Sequence, residues 1–85
     1  MDCYVYVLGT RAKNRCLTYV GWTNDVARRL KLHNTGRGAR TTRGRKWVLL
    51  HSERFATRSA AMSREWHLKR DRKFRKKLAQ ALRHP

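Results

Sequence analysis

The sequence predicts an α+β fold, a small and mostly antiparallel sheet with helices packed against it. Three observations carry that expectation. Two Tyr- and Val-rich stretches alternate in strand fashion, over residues 3–8 and 16–22, on either side of a polar stretch over 9–14. A third apolar run of the same character covers 47–55. Between and after them stand helix signals, in which a short polar capping residue precedes apolar residues three and four positions apart.

In the first stretch Tyr4 and Tyr6 share one face of a strand. Gly9 and Asn14 bound a turn, so strands 3–8 and 16–22 form a hairpin that brings Tyr6 close to Tyr19. Gly21, inside the second strand, marks a bulge or a close approach by another group. The Thr23-Asn24-Asp25 cluster starts a helix, in which Val26, Leu30 and His33 fall on one stripe. Arg29 lies beside that stripe, one turn before His33. Asn34-Thr35-Gly36 stops it, with Gly36 at the C-cap. Residues 36–46 form a basic loop with room for one short helical turn. After the third strand, Thr57 or Ser59 caps a helix over 58–70. Projection at 100° per residue puts Ala61, Leu68, Met62 and Trp66 on one arc, and Glu65 falls inside it. Asp71 caps a last helix over 72–82, with Phe74, Leu78, Ala81 and Leu82 as its buried stripe.

No repeat, low-complexity run or internal proline interrupts the chain. The expectation is one domain over 1–85, with a core at about 3–70 and a basic helix over 71–83. Lys and Arg number 22 against 5 Asp and Glu, a net charge of +17 at neutral pH. Five acids leave most of that field directed at solvent or a polyanion, and nucleic acid is the leading partner. No apolar stretch approaches a membrane span. An acid at position 2, where a basic n-region belongs, argues against a signal peptide. Hydrophobic residues at 40% exceed what a disordered basic tail carries. Cys3 and Cys16 fit neither a CxxC motif nor a disulfide framework, so a reduced, cytoplasmic protein is expected. In a bacterium it would lie with the nucleoid, and in a eukaryote or a virus in the nucleus.

Glu65 is one of only two glutamates, and burying its carboxylate is unfavourable unless something offsets it. A salt bridge to one of the many arginines is one reading, and a metal ligand is the other. Mg²⁺ keeps several waters and uses phosphate oxygens, so one carboxylate suffices for it. Tyr6 and Tyr19 are either ordinary sheet residues or phenols that position a water and, with positive charge nearby, act as a base. Arg29 is either part of a solvated basic face or a bidentate phosphate ligand. His33 is either a core histidine or a partner in proton transfer. From 26 to 52 there are eight Lys or Arg and no acid. With the run over 69–77, that charge favours a surface that binds a nucleic-acid backbone. No zinc, P-loop or dinucleotide spacing is present.

Taken in order, these residues resemble the GIY-YIG nuclease family, in particular its small stand-alone, single-domain branch. Its first motif corresponds to Tyr4-Val5-Tyr6 and its second to Tyr19-Val20-Gly21, with twelve residues between them. Arg29, His33-Asn34 and Glu65 follow, so the resemblance covers residues 4–70. Residues 33–55, HNTGRGARTTRGRKWVLLHSERF, are similar to the small-protein branch throughout. The chain departs from the pattern where Tyr4 replaces the first Gly and where Val replaces both Ile. It also departs at Trp22, a polar or basic position in some relatives, and it lacks a counterpart to the late Asn of others.

The resemblance implies a three-stranded antiparallel sheet flanked by helices, and hydrolysis of DNA phosphodiester bonds with one divalent cation, Mg²⁺ or Mn²⁺. It implies Glu65 as the metal ligand, Tyr6 as general base with His33 helping to take the proton, and Tyr19 orienting water or phosphate. Arg29 would stabilise charge on the phosphate. Which tyrosine is the base stays open. Nucleic acid would be held by Gly21, Trp22, Arg28 and Asn34 around the second motif and the first helix. Arg37, Arg40, Arg43 and Arg45 of the basic loop, and Lys69 and Arg70 beyond Glu65, would hold it further. About 15 residues after the core leave little for sequence recognition. Weak specificity follows, with single-stranded or branched DNA as substrate, RNA still open, a targeting protein as a further partner, and Trp22 stacking on unpaired bases. The competing reading is a non-catalytic basic domain that binds RNA or a ribosome. Charge does not separate the two, but the ordered presence of all five candidate catalytic residues favours the enzyme.

Overall fold

A computed structural model of the chain describes residues 2–82. Strand β1 (Cys3–Ala12) and strand β2 (Arg15–Thr23) form a hairpin, and helix α1 (Val26–Asn34) follows. A single 3-10 turn, Arg40–Thr42, interrupts the basic loop before strand β3 (Val48–Phe55). Helices α2 (Arg58–Arg70) and α3 (Arg72–Ala79) and a last 3-10 turn, Gln80–Leu82, complete the described chain. The sheet is wholly antiparallel, in the order β2-β1-β3. This is the expected α+β architecture, three strands flanked by helices.

The first strand is longer than the sequence suggests. The turn narrows to Lys13 and Asn14, with Lys13 in the left-handed region at φ 48°. Gly9 is a packing residue instead, since a side chain there would run into Leu50 and Leu82. Thr10 stays in the strand because its hydroxyl donates to the Lys46 carbonyl at 2.6 Å. As the central strand, β1 is covered on both faces, and its buried residues run without a break from Val5 to Thr10. Each wholly buried Val or Leu there contributes roughly 1.5–3 kcal/mol relative to exposure.

The two faces hold two cores. Cys3, Val5, Val7 and Val20 pack with Ala61 and Leu68 of α2, bordered by Trp22, Phe55, Phe74 and Leu78. Tyr6, Leu8 and Trp47 make the other, bordered by Leu17, Tyr19, Val26 and Leu30 from β2 and α1. The caps are local and follow the sequence. Asp25 accepts from the Arg28 N–H, Thr57 from the Ala60 N–H and Asp71 from the Phe74 N–H, each at 3.1 Å.

Two expectations change. The arc of α2 is buried only at Ala61 and Leu68, while Met62 and Trp66 are exposed. The neighbouring elements cover a narrower stripe than the arc spans. The last helix ends at Ala79, which is buried in place of Ala81. Leu82 packs toward Gly9 from the following turn, and position 83 of the expected helix lies outside the described residues. No helix among the described residues is long and apolar enough to cross a membrane.

Candidate active site

The site begins at Tyr6. Its register partner on the edge strand β2 is Gly21, and a Cβ on that glycine would stand 2.6 Å from the Tyr6 hydroxyl. The missing side chain therefore lets the phenol lie across β2 toward α1. There the hydroxyl meets His33 Nε2 at 2.9 Å. The Tyr19 ring packs on the same imidazole, with centroids 4.8 Å apart, and lies 6.4 Å from the Tyr6 ring.

The hydrogen bonds around His33 fix where its proton sits. Thr42 donates its hydroxyl proton to the Ala39 carbonyl at 2.8 Å. Its oxygen therefore accepts from His33 Nδ1–H, also at 2.8 Å. The Ala39 N–H is 3.5 Å from Nδ1, the longer and weaker contact. With Nδ1 protonated, Nε2 carries a lone pair and accepts from the Tyr6 hydroxyl. Both His33 and Thr42 are fully buried.

Electrostatics agree with this direction. Burial pushes the Tyr6 phenol above its ordinary value, and the nearby Arg29 guanidinium pulls it only partly back. Tyr19 and Glu65 add smaller upward pushes. Burial first, and then the Arg29 charge, hold the His33 pKa below the ordinary 6.5. At neutral pH the pair is thus a protonated phenol donating to a neutral imidazole.

Glu65 stands on α2 with its side chain 20% exposed. No arginine pairs with it among the described residues. Lys69, one turn on, approaches to 3.7 Å. No group of three or more His, Cys, Asp or Glu among the described residues is placed to hold a metal. Such a donor set suits a hard cation that keeps most of its waters, and it does not suit zinc.

The structure brings Tyr6, Tyr19, Arg29 and His33 together and sets Glu65 within the electrostatic reach of the phenol. The residues expected to hold nucleic acid are placed less uniformly. Arg28, Arg37, Arg40, Arg43, Arg45, Lys69 and Arg70 are exposed. Asn34 has another engagement, because its amide accepts from the Trp47 N–H at 2.6 Å and donates to the Trp47 carbonyl at 3.0 Å. Trp22 is half-buried against the first core, with Arg58 5.1 Å above its ring. Gly21 is buried, its space filled by Tyr6.

Three supporting residues escaped the sequence reading. Thr42 orients His33. Gly38 leaves the room that the imidazole occupies, since a side chain there would overlap the ring. Trp47, buried in the second core, donates its indole N–H to the Thr42 carbonyl at 2.9 Å and fixes the turn. Only Gly38 left a signal, as a second glycine just beyond the helix stop.

Residues 2–79 match the family model described as the GIY-YIG catalytic domain. The chain belongs to the GIY-YIG nuclease family. Among GIY-YIG relatives, a UPF0213 protein of Haloquadratum walsbyi is 50% identical over 70 residues, covering 81% of this chain and 78% of that protein. A UPF0213 protein of Oceanobacillus iheyensis is 40% identical over 74 residues, with 86% and 83% covered. The solution NMR structure of a UPF0213 protein from Bacillus halodurans superimposes with a TM-score of 0.52 at 34% identity. That match covers 100% of this chain and 89% of the other.

Proposed function

We propose that this GIY-YIG protein is a divalent-cation-dependent endonuclease. It hydrolyses DNA phosphodiester bonds with little intrinsic sequence specificity and prefers single-stranded or branched DNA. The observation that carries the reading is the hydrogen bond between the Tyr6 hydroxyl and His33 Nε2, at 2.9 Å, in the field of the Arg29 charge.

In this mechanism the exposed basic loop holds the backbone by charge. Arg29 binds the scissile phosphate and stabilises the negative charge that grows on it. Tyr19, more open than Tyr6, orients the attacking water. The raised pKa of Tyr6 excludes a standing phenolate at neutral pH. Tyr6 instead takes a proton from the water as it gives its own to His33 Nε2, so the imidazole ends as the acid. The water oxygen bonds to phosphorus, and the bond to the 3′ oxygen breaks. Glu65 would hold one Mg²⁺ or Mn²⁺, which when bound polarises the phosphoryl oxygen and favours departure of the leaving oxygen.

The test is cleavage of labelled single-stranded, duplex and branched DNA, and of RNA, with Mg²⁺ or Mn²⁺ and with chelator. The expected result is cation-dependent cutting by the natural chain and none by Glu65→Ala or Tyr6→Phe. Binding should survive Glu65→Ala and weaken steeply with salt. If the natural chain binds but cuts nothing, or if Glu65→Ala cuts equally well, the reading fails and a non-catalytic binding domain takes its place.

A further inference from the structure

Trp66 is the one indole that the fold leaves open. It is 53% exposed, and Met62, one turn before it on α2, is 44% exposed. The ring is nevertheless held. The Arg70 guanidinium lies 3.7 Å from the ring centroid, and Arg70 also donates to the Trp66 carbonyl at 2.9 Å. His67 meets the indole edge-on, with centroids 5.0 Å apart. The ring adds nothing to either core, yet it is braced from one side.

Its neighbours state what the partner is. Trp66 follows Glu65 directly, so the two Cα atoms are about 3.8 Å apart. Their side chains leave the helix about 100° apart, which sets the ring beside the candidate metal ligand and not inside the site. Around the helix from Glu65 the order is Arg58, Lys69, Met62, Trp66, Ser59 and Arg70. Lys69 and Arg70, each within one turn of the ring, are cations that suit phosphates. A base inside a duplex has both faces covered by stacking, whereas an unpaired base offers a free one.

We propose that Trp66, braced by Arg70, is a stacking platform for one unpaired base of a DNA strand whose phosphate lies at Glu65. The proposal rests on the nucleic-acid half of the function above and gives the single-strand preference a residue. Stacking supplies the preference for an unpaired base, and the surrounding cations supply affinity without sequence.

The experiment uses the full chain in chelator, so that no strand is cut. Affinities are measured for a 12-nucleotide oligo-dT, for an abasic strand of equal charge and for a blunt duplex, comparing the natural chain with Trp66→Ala and Trp66→Phe. Trp66→Ala should weaken oligo-dT binding about tenfold, and Trp66→Phe should keep most of it. Neither should change affinity for the abasic strand or the duplex, and quenching of tryptophan fluorescence by oligo-dT should fall away in Trp66→Ala. Unchanged oligo-dT binding, or an equal loss on all three ligands, overturns the proposal. So does a dimer of the natural chain that Trp66→Ala dissociates, which would make the ring a self-association surface. Because binding is read without cleavage, an inactive protein that still shows the base-dependent loss defeats the nuclease reading alone.

Discussion

The chain's two glutamates, twelve positions apart, lie in opposite environments. Glu53, on β3, is closed by its neighbours. Arg64 Nε stands 3.0 Å from Oε1, Arg64 Nη2 3.1 Å from Oε2, and His51 Nε2 2.7 Å from Oε2. Burial works against the Glu53 carboxylate, but the hydrogen bonds from Arg64 and His51 outweigh it and hold its pKa below the ordinary 4.5. Glu65, the residue after Arg64 on α2, turns away from that cluster and has a lysine at 3.7 Å. One carboxylate has its lone pairs occupied and ties a strand to a helix. The other has only a distant lysine, within the electrostatic reach of a buried phenol. Half-burial is common to both, so it is the number and geometry of partners that separates a structural acid from a candidate metal ligand.

The largest effect tests that separation directly. Glu65→Gln should lower the cleavage rate by on the order of 10²–10³-fold. Its Tm should move by no more than about 4 °C, because an i,i+4 pair contributes only about 0.3–0.5 kcal/mol. Single-turnover cleavage with saturating Mg²⁺, set beside thermal unfolding, reads both. A large loss of stability with unchanged cleavage would place Glu65 in the same class as Glu53.

The same distinction between open and closed polar groups explains what the sequence disclosed. Helix α2 keeps its expected limits, Arg58–Arg70, because Thr57 and Asp71 are caps, and caps act within one turn. The position of Glu65 on the inward arc was also legible from helical period. Which part of that arc is covered was not, because it depends on how far β1, β2 and α3 reach, and they stop short of Met62 and Trp66. Arg75 shows the limit on the basic residues. It donates to the carbonyls of Leu68 and Lys69 and to the Thr18 hydroxyl. It is a structural arginine in a run that composition alone marks only as charge. The partners of His33 were illegible for another reason, since Gly38 and Thr42 lie in a loop without periodicity.

Thr42 carries the contrast to the other end of the site. Its hydroxyl is closed as completely as Glu53, yet it serves the histidine of the candidate site. Thr42→Val keeps the shape, removes the acceptor for Nδ1–H and frees the imidazole to take the other tautomer. Cleavage should drop on the order of tenfold, most of it in kcat, with KM nearly unchanged. Thr42→Ser should restore much of the rate, and NMR of the His33 ring nitrogens should report the change of tautomer. A Thr42→Val rate equal to that of the natural chain would show that the hydrogen bond to Tyr6 alone orients the ring.

Glu53→Gln should do the reverse of Glu65→Gln. It keeps the shape and removes the charge from hydrogen bonds that contribute about 1–2 kcal/mol, a figure already discounted because Arg64 is 35% exposed. For a chain of this size the Tm should fall by roughly 5–10 °C. The cleavage rate, measured well below that Tm, should stay within about twofold of the natural chain. An equal loss of rate would join the two acids into one functional cluster.

The smallest effect is in the acid dependence of stability, and its sign follows from the direction of each pKa. Glu53 has a depressed pKa in the folded chain. The unfolded chain therefore binds more protons just below the ordinary 4.5. The stability from Glu53 is fully present above that pH and is lost as pH falls through the folded value. His33 is also depressed, but from the ordinary 6.5, so its contribution begins to fall at higher pH, when unfolding first lets the buried ring take a proton. Denaturant unfolding between pH 7 and pH 3 should therefore show two losses. Glu53→Gln should remove the lower one and leave the upper. His33→Gln should remove the upper one. If Glu53→Gln leaves the loss below pH 4.5 intact, the network of His51, Glu53 and Arg64 is not what holds β3 to α2 in acid, and the closed environment of Glu53 would have no energetic counterpart.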